Sequence, residues 1–250
     1  MQFEKYQSLG NDFIIFDGEV ALLPGFVQKL CHRRYGIGAD GVISIQDQQK
    51  MRIFNADGSE AAFCLNGLRC VALYLSKKHG QHAPVITIGS KTVACQVLAN
   101  KVLSYVGNID SYSQHMIVVH GIPYEGYCVS IGNPHFLTFQ STTLDWLTQN
   151  GAFFEQHESF PNRTNVEFVT KEDSGRYTML VFERGVGCTL ACGSAAAALV
   201  GLLFKKKEIS ELEPISVAMP GGFFEAYVKD GSITIVAEAS PVFSGIVQIS

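Results

Sequence analysis

The sequence predicts an α/β fold of the α+β type, built from two related lobes. The chain repeats one order of elements, in which a strand leads through a polar loop to a cysteine, a helix and a strand hairpin. Hydrophobic residues make up 47% and charged residues 17%, as in an ordinary globular protein. With 250 residues, the chain can bury the core of one large domain or of two modest ones.

The first copy of the repeat contains Cys64. A strand pattern at 51–54 leads through the loop 55–60 to this cysteine, and a helix is predicted from Asn66 to about His79, where Gly80 would stop it. The alternating pattern that follows predicts strands joined by turns. The predicted strands are 85–88, 93–98 and 102–106, and the turns between them include 89–90 and 99–101.

The second copy contains Cys192. A strand pattern at 178–182 leads through the loop 183–187 to this cysteine, and a helix is predicted from Gly193 to about Lys207. Three lysines close that helix, where the helix dipole favours positive charge. The hairpin pattern follows. Its predicted strands are 215–219, 224–228 and 232–237, and the turns between them include 221–222 and 229–231.

The repeat predicts two pseudo-symmetric lobes. We assign residues 1–115 to the N-terminal lobe with Cys64 and residues 116–250 to the C-terminal lobe with Cys192, and the final strands are free to cross between lobes. A cleft between lobes is a common place for a ligand site. We therefore expect the active site in this cleft.

Charge and hydropathy argue against two classes of partner. The net charge of −4 gives no positive field for a phosphate backbone, so no nucleic acid is expected. The longest apolar stretch, 189–204, is shorter than the roughly 20 residues that span a bilayer, which predicts a buried helix and no membrane. The N-terminus has no basic segment followed by an apolar run, so no signal peptide is expected.

The cysteines predict a reducing, cytoplasmic location. Their number, seven, is odd and too small for a disulfide framework in a chain of this length. Two close pairs, Cys64 with Cys70 and Cys188 with Cys192, lack the spacing of zinc ligands, so no metal is expected. Four of the seven cysteines are interpreted as small buried hydrophobic residues: Cys31, Cys70, Cys95 and Cys128.

Cys64 and Cys192 are expected to carry the chemistry, because they occupy equivalent places in the repeat. Each stands just before a helix, where free backbone N–H groups and the helix dipole favour a thiolate or a carboxylate. The dipole contributes only about 0.3 to 1 kcal/mol, so other groups must complete the activation. A thiolate on one face of a substrate and a thiol on the other would invert a Cα centre. This predicts a two-cysteine racemase or epimerase.

Three other functions are compatible with single features of the sequence. Residues 36–41 match G-x-G-x-x-G, but they follow a predicted helix at 27–34 and precede a strand at 42–45, the reverse of a dinucleotide site. A cysteine hydrolase using Cys192 and His135 would leave Cys64 without a role. An amino-acid-binding protein would not need two facing thiols.

Six motifs resemble those of the diaminopimelate epimerase family, and they follow the family order along the whole chain. They are Leu-Gly-Asn-Asp-Phe at 9–13, Asn-Ala-Asp-Gly-Ser-Glu at 55–60, Cys-Leu-Asn-Gly-Leu-Arg-Cys at 64–70, Ile-Gly-Asn-Pro-His at 131–135, Glu-Arg-Gly at 183–185 and Ala-Cys-Gly-Ser at 191–194. The resemblance implies two lobes, each a mostly antiparallel sheet or barrel wrapped around a central helix. It also implies conversion of L,L-diaminopimelate to the meso form without pyridoxal phosphate or another cofactor, a step towards lysine and peptidoglycan.

The same resemblance implies the roles of individual residues. Cys64 would be the proton donor and Cys192 the acceptor for the L,L substrate, with His135 and Glu183 tuning the thiols. The reacting carboxylate would be held by the amides of Leu65, Asn66, Gly193 and Ser194. The remaining polar groups of the substrate would be bound by Asn11, Asn55, Asn133, Asn165, Glu183 and Arg184.

Four positions depart from the family pattern. Leu65 and Ala195 stand where glycine is usual, Cys188 where glutamate is common, and Gly41 where some members have glutamine. A side chain at position 65 could alter substrate choice, so a related racemase or epimerase for another amino acid, also independent of pyridoxal phosphate, stays as the alternative. The predicted partners are a small amino-acid substrate and, in a homodimer, a second copy of the chain.

Overall fold

The structure, a computed structural model, describes residues 1–61 and 63–248 of the chain. Within these residues it contains four helices and eighteen strands, so the predicted mixed α/β class is confirmed. The chain forms two compact units. The first comprises Met1–Tyr105 together with the C-terminal segment from Val236, and the second comprises Val106–Ile235.

The first unit is a mostly antiparallel sheet. Its elements are β1 (Gln2–Ser8), β2 (Asn11–Asp17), α1 (Pro24–Cys31), β3 (Gly41–Gln46), β4 (Lys50–Asn55), β5 (Glu60–Ala61), α2 (Leu65–His79), β6 (Val85–Ile88), β7 (Lys91–Leu98), β8 (Lys101–Gly107) and β18 (Ser240–Ile246). The strand order is β18-β1-β2-β3-β4-β6-β7-β8, with β5 paired to β4. The β2–β3 and β4–β6 pairs are parallel and the others antiparallel.

The second unit repeats this arrangement. Its elements are β9 (Ser111–Val119), β10 (Ile122–Ser130), β11 (Pro134–Thr138), α3 (Leu144–Glu155), β12 (Asn165–Lys171), β13 (Tyr177–Glu183), β14 (Gly187–Thr189), α4 (Gly193–Lys205), β15 (Ile215–Met219), β16 (Gly222–Lys229) and β17 (Ser232–Glu238). The strand order is β9-β10-β11-β12-β13-β15-β16-β17, with β14 paired to β13. The β11–β12 and β13–β15 pairs are parallel.

The two units therefore share one connectivity, in which β1 to β8 correspond to β10 to β17. One further strand completes each sheet. The last strand, β18, pairs with β1, and β9, which directly precedes β10 in the chain, pairs with β10 along its whole length. The chain passes from the first unit to the second between Tyr105 and Val106, so β9 lies in the second unit. The division into lobes at 1–115 and 116–250 stays a prediction.

A buried helix lies at the centre of each unit. All residues from Leu65 to Ser76 in α2 and from Gly193 to Leu203 in α4 are buried. A helix that is buried on every side packs inside a sheet rather than on its surface. Gly67 permits the close approach, since a Cβ atom there would lie 2.9 Å from Ile53 Cδ1. The central helix that the resemblance implied for each lobe is thus present.

The predicted helix ends are also found. Gly80 ends α2 in the left-handed conformation with φ of 68°, which glycine adopts without strain. The helix α4 ends at Lys205, slightly before the predicted Lys207. Residues 36–41 lie between α1 and β3, so this glycine-rich segment leads into a strand and not into a helix. In the described parts of the chain, no helix is long and apolar enough to cross a membrane.

Candidate active site

Cys64 is the N-cap residue of α2. Its backbone is extended, with φ of −153° and ψ of 112°, and its Sγ accepts a hydrogen bond from the Gly67 N–H at 3.4 Å. The side chain is half-buried. A sulfur at this position meets the positive end of the helix dipole, which favours its ionised form.

Two asparagines of the first unit lie beside this sulfur. The Cys64 thiol is 4.0 Å from Asn11 Oδ1, and Asn66 Nδ2 donates to the same oxygen at 3.2 Å. The amide of Asn11 donates in turn to Asp40 Oδ2 at 2.8 Å. The structure therefore brings together Asn11, Cys64 and Asn66.

Arg69 supports this group from inside the helix. Its guanidinium is fully buried and donates through Nη2 to Asn66 Oδ1 and through Nε to Ser8 Oγ at 3.0 Å. The Asn66 oxygen is thereby occupied, and its amide nitrogen points to Asn11. Arg69 belongs to the motif at 64–70, but the family resemblance implied no role for it.

Asn55 lies at the same edge of the sheet, at the end of β4 and opposite Gly41 at the start of β3. Its side-chain amide donates to Ser59 Oγ at 3.0 Å. Leu65, the first residue of α2, is only 4% exposed. The N–H groups of Leu65 and Asn66 belong to the first turn of α2, at the positive end of the helix dipole.

Cys192 is the N-cap residue of α4 and thus the counterpart of Cys64. Its N–H donates to Met219 Sδ at 3.3 Å, and its Sγ lies 3.3 Å from Ser194 Oγ. Asn133 Nδ2 donates to the same Ser194 oxygen at 3.3 Å. Gly193 and Ser194 begin the helix and are buried. The second unit therefore groups Cys192, Ser194 and Asn133.

Glu183 places a carboxyl group beside the Cys192 thiol. Burial raises the pKa of the Cys192 thiol well above its ordinary value, and the negative charge of Glu183 raises it further. Burial also raises the pKa of Glu183, which accepts a hydrogen bond from Thr189 Oγ1 at 2.6 Å and lies within hydrogen-bonding reach of Cys192. Both groups hold their protons more strongly than they would in water, so one proton can be shared between them.

Asn165 fixes the loop that carries Arg184. Its Nδ2 donates to the Pro134 carbonyl at 2.8 Å, and its Oδ1 accepts from the Arg184 N–H at 2.9 Å. The guanidinium of Arg184 is exposed and donates to the Asn162 carbonyl at 3.2 Å. The side chain of Arg184 can therefore reach a carboxylate while its backbone is held.

His135 is buried beside a carboxylate that the sequence analysis did not select. Its Nδ1 lies 2.7 Å from Glu167 Oε1, and both side chains are completely buried. Burial raises the pKa of Glu167, while the charge and hydrogen bond of His135 lower it. A glutamate inside the apolar run Val166-Glu167-Phe168-Val169 was the available signal in the sequence.

A cavity of about 960 Å³ opens within the second unit. It is lined by Asn133, His135 and Arg184 together with residues of the β9–β10 and 159–164 segments. Its size suits a small molecule. Among the residues that the structure describes, no cluster of three or more His, Cys, Asp or Glu side chains is arranged to hold a metal ion.

The remaining departures from the family pattern lie close to these groups. Cys188 is half-buried in β14, and its Sγ accepts from Thr148 Oγ1 at 3.5 Å. Ala195 is completely buried in the first turn of α4. Gly41 begins β3, where a Cβ atom would lie 2.6 Å from the Phe54 carbonyl oxygen. A larger residue at position 41 would therefore require the neighbouring strand to move.

Comparisons with known proteins agree with one another. A family model described as diaminopimelate epimerase matches residues 3–109 and 127–243. The chain is 36% identical over 281 residues to the diaminopimelate epimerase of Synechocystis sp., covering 100% of this chain and 99% of the relative. It is 36% identical to that of Trichodesmium erythraeum, covering 98% of each. A probable proline racemase from Agrobacterium radiobacter has a similar fold, with a TM-score of 0.75, 12% identity and coverage of 100% of this chain and 93% of that structure.

Proposed function

Because the chain belongs to the diaminopimelate epimerase family, we propose that it interconverts L,L- and meso-diaminopimelate with Cys64 and Cys192 as the two proton-transfer groups. The chain is an isomerase of that family. The observation that carries the mechanism is the shared position of the two cysteines, each the N-cap of the buried helix of its unit. The reaction supplies the meso isomer for lysine and peptidoglycan synthesis.

The proposed reaction moves one proton off the substrate and another onto it. The Cys192 thiolate takes the proton from Cα, so that an S–H bond forms as the C–H bond breaks and the electron pair remains on the substrate. The Cys64 thiol then gives its proton to the opposite face of the same carbon. Reversal exchanges the two roles, so each turnover must begin with one thiol and one thiolate, and both sulfurs are thiols while the electron pair is on the substrate.

Activation of Cys192 is proposed to depend on Glu183. An unperturbed thiol with pKa near 8.5 is about 3% ionised at pH 7, and burial makes the Cys192 thiolate scarcer still. A carboxylate within hydrogen-bonding reach can accept the thiol proton when the substrate enters. His135 is proposed as the second group that adjusts proton affinity in the site, acting from its buried position beside Glu167.

The negative charge that develops on the substrate needs stabilisation. We propose that the first-turn N–H groups of Leu65, Asn66, Gly193 and Ser194 bind the reacting carboxylate, since helix N-termini are good anion sites. The other polar groups of the substrate are assigned to Asn11, Asn55, Asn133, Asn165, Glu183 and Arg184. Arginine suits a carboxylate because its planar fork can bond both oxygens.

Proton NMR of L,L-diaminopimelate in D2O tests the proposal. We expect reduced enzyme to remove the Cα signal and form the meso isomer without added cofactor. Cys64→Ala and Cys192→Ala should abolish epimerisation, whereas the matched variant Cys188→Ala should keep it. Exchange of another amino acid, with none of diaminopimelate, would instead support the alternative substrate and make Leu65 the first residue to replace by glycine.

Two further parts of the proposal concern the location of the protein in the cell and its oligomeric state. We propose a cytoplasmic location, because seven cysteines are too few and too odd in number for a disulfide framework in a chain of this length. We also propose a homodimer, and sedimentation equilibrium will distinguish one chain from two. A mass of one chain at catalytic concentrations would contradict the dimer without touching the proposed reaction.

A further inference from the structure

Glu167 is a buried carboxylate in an apolar strand. It lies in β12, whose first five residues are all buried, and its own side chain has no exposed surface. A charged group in such surroundings is unfavourable unless it is paired and hydrogen-bonded. Its presence therefore calls for a specific partner.

His135 is that partner. The two strands are parallel, with Asn165 opposite His135 and Glu167 opposite Leu137, so the imidazole reaches along its strand to the carboxylate. The distance from Nδ1 to Oε1 is 2.7 Å, as in charge-assisted hydrogen bonds. An ionised carboxylate at this position would accept the Nδ1–H and so fix the tautomer of the ring.

The second polar atom of each of these two side chains is less well satisfied. His135 Nε2 and Glu167 Oε2 are buried, and neither has a hydrogen-bond partner among the described residues. A pair that served only the core would be expected to satisfy these atoms as well. His135 is also among the residues that line the cavity of the second unit, whereas Glu167 is not.

Neighbouring titratable groups respond to the charge of this pair. Burial is the main reason for the raised pKa of Cys192, and the charges of Glu183 and Glu167 add to it. The pKa of Glu183, raised by burial, is lowered by the charge of His135 and raised by that of Glu167. On α3, Glu155 is engaged separately, by the Gly185 N–H at 2.9 Å and by Arg163.

We propose that Glu167 is a positioning residue for the epimerase site: it holds the Nδ1–H of His135 and thereby fixes the tautomer and the orientation of a histidine that lines the cavity. The catalytic importance of this arrangement rests on the function proposed above, but the tautomer of His135 does not. Glu167 itself is not among the residues that line the cavity, so it acts through His135.

Nitrogen-15 NMR of histidine-labelled protein tests the structural half. Wild-type enzyme should show His135 protonated at Nδ1. Glu167→Leu should shift the ring towards the Nε2–H tautomer, because the acceptor is gone, whereas Glu167→Gln should keep the wild-type tautomer through its amide oxygen. Glu225→Gln, which changes an exposed glutamate of the same unit, should leave the signals unchanged.

Steady-state kinetics test the functional half. For Glu167→Leu we expect kcat to fall about tenfold or more, with KM changed much less, because the substrate contacts stay in place. Glu167→Gln keeps the ring orientation without the negative charge, so it should retain more activity with an altered pH profile of kcat/KM.

The NMR outcome tests the coupling of Glu167 to His135, and the kinetic outcome tests its effect on catalysis. An unchanged tautomer in Glu167→Leu, or a changed tautomer with wild-type kcat, would overturn the inference. Loss of folding in both variants would do the same, since Glu167 would then act in stability alone. Wild-type enzyme without epimerase activity, but with the expected tautomer change, would refute the proposed function and leave the histidine–glutamate coupling standing.

Discussion

Cys64 and Cys192 occupy the same place in two copies of one fold, yet their surroundings differ. Cys64 is half-buried, accepts the Gly67 N–H and faces the amide of Asn11. Cys192 is buried, and the carboxylates of Glu183 and Glu167 raise the pKa that burial has already raised. The fold thus fixes where a sulfur stands, and neighbouring side chains set how tightly it holds its proton.

Replacing either sulfur should have the largest effect. Cys64→Ser and Cys192→Ser each substitute a hydroxyl that ionises far less readily, so kcat for epimerisation should fall about 10³-fold or more in both. Steady-state assays in both directions will measure the loss. Retention of activity in one variant would show that the two positions are not equivalent partners. Cys188→Ser provides the control.

Removing the carboxylate beside Cys192 should sharpen the difference between the two cysteines. Glu183→Gln keeps the shape but lowers the pKa of Cys192, because a negative charge that raised it is gone. The pH midpoint for alkylation of Cys192 by iodoacetamide should move to lower pH. At the same time kcat should fall about 100-fold, since the proton acceptor is lost. An alkylation midpoint that moves upward would contradict this account of the carboxylate.

The central helices differ at equivalent positions. Five residues after each cysteine, α2 has the buried Arg69 and α4 has Ala197. Arg69→Met removes the donor to Asn66 and Ser8, and leaving buried acceptors unmatched should lower the free energy of unfolding by about 2 kcal/mol or more. Urea denaturation will measure it. Ala197→Gly is the comparison in α4, where about 1 kcal/mol is expected from helix propensity and lost packing.

The features that the sequence predicted are local ones. The two N-cap cysteines, the Gly80 stop and the hairpins follow from short patterns that neighbouring residues determine. The pairing of β18 with β1 joins residues more than 230 apart, and no local pattern records such a contact. The partnership of His135 with Glu167 was missed for the same reason, because it depends on strand register rather than spacing.

The site residues divide in the same way. Motif resemblance selected Asn11, Asn66, Asn133 and Ser194, and the structure groups them around the two sulfurs within their own units. It did not select Arg69 or Glu167, whose side chains are buried and act on other residues. Buried polar side chains in apolar elements are therefore the signal to examine first in such a sequence.

The edge of the first unit supplies a smaller expected effect than Arg69→Met, because its charges lie near the surface. Asp12 follows Asn11 in the same way that Pro134 follows Asn133, so the second unit has no carboxylate at this position. Burial raises the pKa of Asp12, but hydrogen bonds from Arg33 and Lys5 outweigh it and bring the pKa to about 2.

A folded-state pKa below the unfolded value stabilises the fold above about pH 4, and this contribution disappears as the pH falls through about 2. Asp12→Asn should therefore lower the free energy of unfolding by about 1 to 2 kcal/mol at pH 7, since the carboxyl is largely but not fully shielded from solvent. The difference from wild type should shrink to near zero at pH 2. Urea denaturation at both pH values will measure it, and a difference that is the same at both would show that packing, rather than charge, connects Asp12 to Lys5 and Arg33.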